Sequence, residues 1–143
     1  MAPSVCNSRA PNQTPFSEWR TWSRALETVF PAVGHKYKVD FSGDLGAFSV
    51  QLDFHSETSM TYTGYNSDGS LSQDPTDTET VVITVKPLRD QQFLVTWQET
   101  EGDTVVHIED YQNNTIFTNI TQPGKDLTHP KFTQFSGPMN QTS

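Results

Sequence analysis

The run from Val95 to Thr121, VTWQETEGDTVVHIEDYQNNTIFTNIT, decides how the chain is read. Val, Ile, Thr and aromatic residues fill most of it, and such residues favour a pleated, half-buried strand. The segments EGD and QNN interrupt it at hairpin spacing, with Gly102 and Asn113 or Asn114 supplying the backbone freedom that tight turns need. Three consecutive antiparallel strands follow: QFLVTWQET from Gln92, DTVVHIEDY from Asp103 and NTIFTNIT from Asn114.

Side chains of a strand alternate between its two faces. His107, Glu109 and Tyr111 therefore share one face, while Val106, Ile108 and Asp110 share the other. On the preceding strand Phe93, Val95, Trp97 and Glu99 oppose Leu94, Thr96 and Gln98. Turn parity decides which faces meet. An even-length turn around Glu101 and Gly102 sets Trp97 beside Val106 and His107 beside Thr96, whereas an odd one brings Trp97 to His107. In either case a polar group joins an apolar face: Asp110 among Val106 and Ile108, or His107 and Glu109 among Val95 and Trp97. Desolvating a charge is costly. At least one of His107, Glu109 and Asp110 is accordingly expected to point inward with Trp97 nearby.

The same period of two extends outward from this run. HKYKVDF from His35 and TSMTYTGY from Thr58 fit it, and GAFSVQLDF is the clearest case, with Phe48, Val50, Leu52 and Phe54 on one face. ETVVITVKP from Glu79 reads as one strand, and KFTQF from Lys131 as a last one ending before Gly137 and Pro138. Between them NSDGSLSQDPTDT, residues 66–78, is too polar and too broken by Gly and Pro to be an element; it is either a flap or a passive surface loop.

Upstream the period becomes helical. In TPFSEWRTWSRALETVF, Thr14 is a candidate N-cap and Pro15 suits the first helical position. Phe16, Trp19, Trp22, Leu26 and Val29 form one apolar stripe, closed by Pro31 and Gly34. The expected fold is thus mainly β: an antiparallel up-and-down barrel of about eight strands with one N-terminal helix over 14–30. The domain spans 14–137, with residues 1–13 and 138–143 as disordered ends. Closing a meander into a barrel removes exposed edges, and eight strands suffice to enclose one small ligand.

Composition narrows the partners. A chain of 143 residues fits one domain. Its net charge of −8, with nine Lys and Arg scattered along it, disfavours nucleic acid. Cys6 stands alone and forms no internal disulfide. The start MAPSVCNSRAPNQTP lacks the apolar core of a signal peptide, and no long apolar run encodes a membrane span, so a soluble cytoplasmic protein is expected. Glycosylation triplets at Asn12, Asn113, Asn119 and Asn140 would then go unused. An exposed edge strand would be the route to a homodimer.

TWQE, an acidic-glycine turn, VVHIED, an aromatic residue and IFTNITQPG together resemble the MoaF-like proteins, whose fold is a small calycin-type, lipocalin-like barrel. Residues 93–124 carry the resemblance, and 34–92 are compatible with it. It implies Trp97, Glu99, His107, Glu109, Asp110 and Asn119 as the positions on which the family pattern falls, without a defined chemistry. By analogy of fold alone, small barrels of this kind also occur among fungal biosynthetic proteins that isomerise or cyclise natural products.

His107 and Glu109 fall short of the three or four ligands a zinc site wants, and His35, His55 and His129 have no spacing that nominates them. No phosphate loop, GxSxG, HExxH or paired CxxC is present. Neither metal nor cofactor is therefore expected. The candidate catalytic residues are His107, Glu109 and Asp110, histidine being suited to proton transfer near neutral pH. Candidate substrate contacts are Phe48, Tyr62, Phe93, Val95, Trp97, Glu99, Phe117 and Asn119, since aromatic walls suit an apolar, hydrophobic small molecule. Three readings stay open. One is a cofactor-independent isomerase or cyclase, of pericyclase type included, acting on a hydrophobic secondary-metabolite intermediate; the others are a lipocalin-type carrier and an interaction module with a filled barrel.

Overall fold

The computed structural model describes residues 29–43, 45–124 and 128–143. Nine strands form a single antiparallel sheet: β1 (Lys36–Gly43), β2 (Gly46–Ser56), β3 (Ser59–Gly64), β4 (Thr78–Val82), β5 (Thr84–Arg89), β6 (Gln92–Gln98), β7 (Thr104–Asp110), β8 (Thr115–Gln122) and β9 (Lys131–Gln141). Their order is β4-β3-β2-β1-β9-β8-β7-β6-β5. The two edge strands, β4 and β5, are separated in sequence by Ile83 alone. A nine-stranded sheet whose opposite edges are one residue apart has to curl until those edges meet, so the chain is a nearly closed antiparallel barrel.

The run Glu79–Pro87 thus differs from expectation. It is not one strand but two, because Thr78–Val82 pairs with β3 while Thr84–Arg89 pairs with β6. Ile83 lies at the switch; its N–H bonds the Thr58 carbonyl and its side chain is buried in the barrel. Strand β9 also runs further than KFTQF, through Gly137 and Pro138 to Gln141. Pairing with β1 lapses around those two residues, then resumes in the same register from Val39 opposite Met139. The Thr142 N–H reaches the Lys36 carbonyl, so residues 138–142 are bound to the barrel rather than forming a loose tail.

Of the expected helix over 14–30, residues 14–28 lie outside the described residues, as does the arm 1–13. Val29 and Phe30 are described and are not helical; they lead into a turn over 31–34. Val29, expected on the buried stripe, is 70% exposed, and its neighbour Phe30 is buried instead. The reversal follows from Pro31, whose ring disfavours helix for the residue before it. The segment 66–78 contains a 3-10 turn at Pro75–Asp77 capped by Asp74, and Asn66, Asp68 and Ser72 bond within it.

Alternation is clearest in β1, β2 and β6. Val39, Leu52, Met60, Val81, Val95, Ile116 and Met139 turn inward and form the core. One end of the interior is filled by rings: Phe30 packs edge-to-face on Phe54, Phe93 and Tyr111 with centroids 5.2, 5.1 and 5.6 Å away. Such packing adds to what burial alone contributes. Phe30→Ala, which empties the centre of this plug, is expected to cost about 3–5 kcal/mol. Chemical denaturation checks this, and a loss below 1 kcal/mol would show that the plug does not carry that end of the barrel.

Candidate functional site

The turn joining β6 to β7 sets the faces. Gly102 adopts φ 99°, its N–H bonds the Glu99 carbonyl at 2.9 Å, and the Glu99 N–H bonds the Asp103 carbonyl at 2.8 Å. Those bonds enclose an odd loop. Trp97 is consequently opposite Val105, Val95 opposite His107 and Phe93 opposite Glu109. His107, Glu109 and Tyr111 all enter the barrel on the apolar face, and His107 lies edge-on to the Trp97 ring at 4.6 Å.

These three side chains form a continuous polar line through an apolar interior. His107 Nδ1 is 3.0 Å from Glu109 Oε1, and the Tyr111 hydroxyl donates to Glu109 Oε2 at 2.5 Å. His107 is 3% exposed and Glu109 not at all. Burial and the adjacent Glu109 carboxyl push the Tyr111 phenol well above its usual range, so it stays a proton donor. Tyr37, which packs on Tyr111, is pushed up for the same two reasons.

Beyond His107, away from the aromatic plug, a cavity of about 120 Å³ opens. Its walls are mostly apolar: Phe41, Val50, Leu52, Val105 and Ile120, with half-exposed Phe48 at the rim. Its polar groups are His107, Thr118, Tyr62, Trp97 and Glu99. Thr118 lies directly opposite His107 on β8. Among the described residues, its hydroxyl is the sole fully buried side-chain polar atom without a hydrogen-bond partner. His107 Nε2 likewise has no bond to any described residue, Nδ1 being the nitrogen that Glu109 holds.

The rim is acidic. The Tyr62 hydroxyl donates to Glu79 Oε2 at 3.1 Å, and the Thr100 N–H and hydroxyl both donate to Glu79 Oε1. Those Thr100 bonds hold the Glu79 carboxyl below its usual range. Glu99 behaves oppositely. Burial pushes its carboxyl up, as do the charges of Asp103 and Glu79, although the Trp97 indole N–H donates to it at 3.3 Å. The Tyr62 phenol is pushed up by burial first and then by these carboxylates.

The expected site residues separate into groups. His107, Trp97, Glu99, Phe48 and Tyr62 line the cavity, and Glu109 backs it. Phe93 and Val95 are buried, but in the plug and core rather than on the cavity wall. Phe117 and Asn119 are on the outward face of β8, with Phe117 exposed and Asn119 accepting from Gln134. Asp110 is on the outward face of β7. It accepts from the Gln112 N–H at 3.0 Å and from the Asn113 N–H and side-chain amide at 2.9 Å, and it pairs with Arg89 at 3.4 Å. It caps a turn. The segment 66–78 contributes nothing to the cavity wall. Thr118 went unmarked, although alternation with Ile116 and Ile120 is the signal that assigns it inward.

The sequence profile of the MoaF-like family matches residues 33–139. The chain belongs to the MoaF-like family. Among curated proteins none matches significantly. Of solved structures, this MoaF-like barrel is similar to the crystal structure of a "putative beta-lactamase" from Burkholderia vietnamiensis, with a TM-score of 0.62 over 80% of this chain and 99% of that one. At 21% identity the likeness is one of fold. Among the described residues no group of three or more His, Cys, Asp or Glu side chains is placed to hold a metal ion, and no helix is long and apolar enough to cross a membrane.

Asp110 gives the MoaF-like barrel an acid-sensitive joint. Burial alone would raise its carboxyl, but the Asn113 and Gln112 donors and the Arg89 charge outweigh it and hold the group below its usual range. Its contribution to stability is present above the unfolded value of about 3.9 and is lost as pH falls through the lower folded value. Asp110→Asn should therefore be less stable than wild type at pH 7, with the gap narrowing as pH drops below about 4. Thermal melts of both proteins across that range check the sign; a constant gap contradicts it.

Proposed function

We propose that this MoaF-like protein binds a compact, largely apolar molecule in the cavity and isomerises it without a cofactor, with His107 at the reacting end. The observation that carries the proposal is the asymmetry of His107: Nδ1 is held by buried Glu109, while Nε2 is left to whatever occupies the cavity. Two arrangements keep the buried pair free of net charge: imidazolium beside carboxylate, or imidazole accepting from a carboxylic acid. Burying an isolated charge is the costly alternative. In both neutral arrangements Nε2 carries a hydrogen. The cavity is thus offered a fixed donor, pre-oriented by Glu109 and by the Trp97 ring, in mostly apolar surroundings. Such a donor acts on developing charge far more strongly than one in water.

Cavity size limits the ligand. Drug-sized sites span roughly 300–1,000 Å³, and an apolar cavity of about 150 Å³ admits benzene. At about 120 Å³ the enclosed part of the ligand is one small ring or its equivalent, and a larger intermediate extends past Phe48 and the acidic rim.

A direct test incubates the protein in D2O with a set of single-ring alkenes, dienes and enones, following double-bond migration or deuterium uptake by NMR. Binding is read separately from the Trp97 indole N–H resonance. His107→Gln should lower turnover of a converted compound by about 10²–10⁴-fold while binding is kept. Ligands that shift the Trp97 resonance and are never converted would replace the isomerase with a carrier.

A further inference from the structure

Two polar side chains lie side by side on one wall of the cavity. His107 and Thr118 are direct cross-strand partners, and such partners have Cβ atoms about 4.5–5.5 Å apart. One ligand atom lying between the two side chains would therefore be within reach of both. Thr118 is 1% exposed and its hydroxyl bonds no described residue, whereas the large majority of buried polar side-chain atoms find a partner. A valine there would fill the same space without that penalty. The unmet hydroxyl points to a partner that arrives with the ligand. His107 Nε2 carries a hydrogen in either uncharged form of its pair, so the atom that satisfies both groups has to be a hydrogen-bond acceptor.

Resting on the isomerase reading above, we infer that the substrate is a small unsaturated ketone whose carbonyl oxygen lies between His107 Nε2 and the Thr118 hydroxyl, with Glu99 as the base. Glu99 reaches the same cavity from its mouth, steadied by the Trp97 indole N–H. Its burial strengthens it as a base relative to an exposed carboxylate. In the step assigned to it, the C–H bond between the carbonyl and a β,γ double bond breaks and the proton passes to Glu99. The electron pair delocalises onto the carbonyl oxygen, where the His107 and Thr118 donors stabilise the dienolate. Return of the proton from Glu99 to the γ-carbon gives the conjugated ketone. Atoms and electrons balance with no oxidant, reductant or metal, and Glu99 ends in its starting form.

The probes are cyclohex-2-enone, the hydrocarbon 3-methylenecyclohexene, in which a methylene replaces the oxygen, and cyclohex-3-enone as a convertible substrate. The ketone should bind in preference to the hydrocarbon. Thr118→Val should weaken the ketone about three- to tenfold, the worth of one neutral hydrogen bond, and leave the hydrocarbon unchanged. Thr118→Ser should retain the ketone. The valine variant without ligand should melt no lower than wild type, because it removes an unpaired buried hydroxyl. Glu99→Gln should slow conversion of cyclohex-3-enone to cyclohex-2-enone by about 100-fold or more while still binding the product. Equal binding of ketone and hydrocarbon, no binding of the ketone, or wild-type ketone affinity in Thr118→Val overturns the inference. If His107→Gln abolishes turnover of another compound while Thr118→Val and Glu99→Gln do not, the isomerase reading stands and this substrate class falls. If the ketone binds through Thr118 but is never converted, the isomerase reading and the Glu99 step fall together.

Discussion

Everything distinctive about this barrel depends on one buried carboxyl group. Glu109 has no exposed surface, and its two oxygens are held by His107 on one side and Tyr111 on the other. A barrel interior of this size is most simply filled with aliphatic and aromatic side chains, and replacing a buried polar pair by apolar residues is often neutral or stabilising. The line Tyr111–Glu109–His107 is thus a cost accepted in the core. It lies where the interior changes character, between the ring plug around Phe30 and the cavity under Trp97. The plug makes the rigid floor on which Tyr111 is fixed; Tyr111 fixes Glu109; and Glu109 fixes the ring of His107. Order passes from packing to hydrogen bonding along a single face of the chain from Tyr111 to His107.

The neighbouring strand β8 has the reverse arrangement. Where Glu109 is satisfied twice, the Thr118 hydroxyl finds no partner among the described residues, and where the plug is packed with rings, the cavity is open toward an acidic rim. Glu79 and Glu99 show how local donors separate two similar carboxyls. Thr100 meets Glu79 with both backbone and hydroxyl donors and holds it down, while burial and neighbouring charge push Glu99 up. Two carboxyls on one rim are thereby pushed in opposite directions by their surroundings alone.

The architecture was largely legible in the chain, since period two and hairpin residues describe local backbone. The barrel was expected, but the place where it closes was not legible: Glu79–Pro87 reads as one strand, and only the partners on either side of Ile83 reveal that it serves two edges. The extension of β9 through Gly137 and Pro138 was hidden by residues that signal breaks yet are tolerated where pairing lapses. At the site, HIED announced a polar intrusion, but the choice between its faces rested on one residue of turn length, which Gly102 settles in the fold. Asp110 looked like His107 in sequence because both interrupt apolar alternation; its role as a turn cap depends on Asn113 and Arg89, which alternation does not reveal. Phe117 attracted notice as an aromatic residue and Asn119 through the family resemblance, while the quieter Thr118 between them faces inward. An unpartnered hydroxyl is a property of surroundings and has no mark in sequence.

The central claim is that Glu109 takes up the Nδ1 side of His107 and that Nε2 presents a hydrogen to the cavity. Long-range ¹H–¹⁵N correlation of the imidazole in the ligand-free protein at pH 7 reads both nitrogens at once. The account predicts a protonated Nε2, whether the ring is neutral or cationic, with its resonance moving when the cavity is filled. A neutral ring protonated at Nδ1 with a bare Nε2, unmoved by ligand, would contradict it.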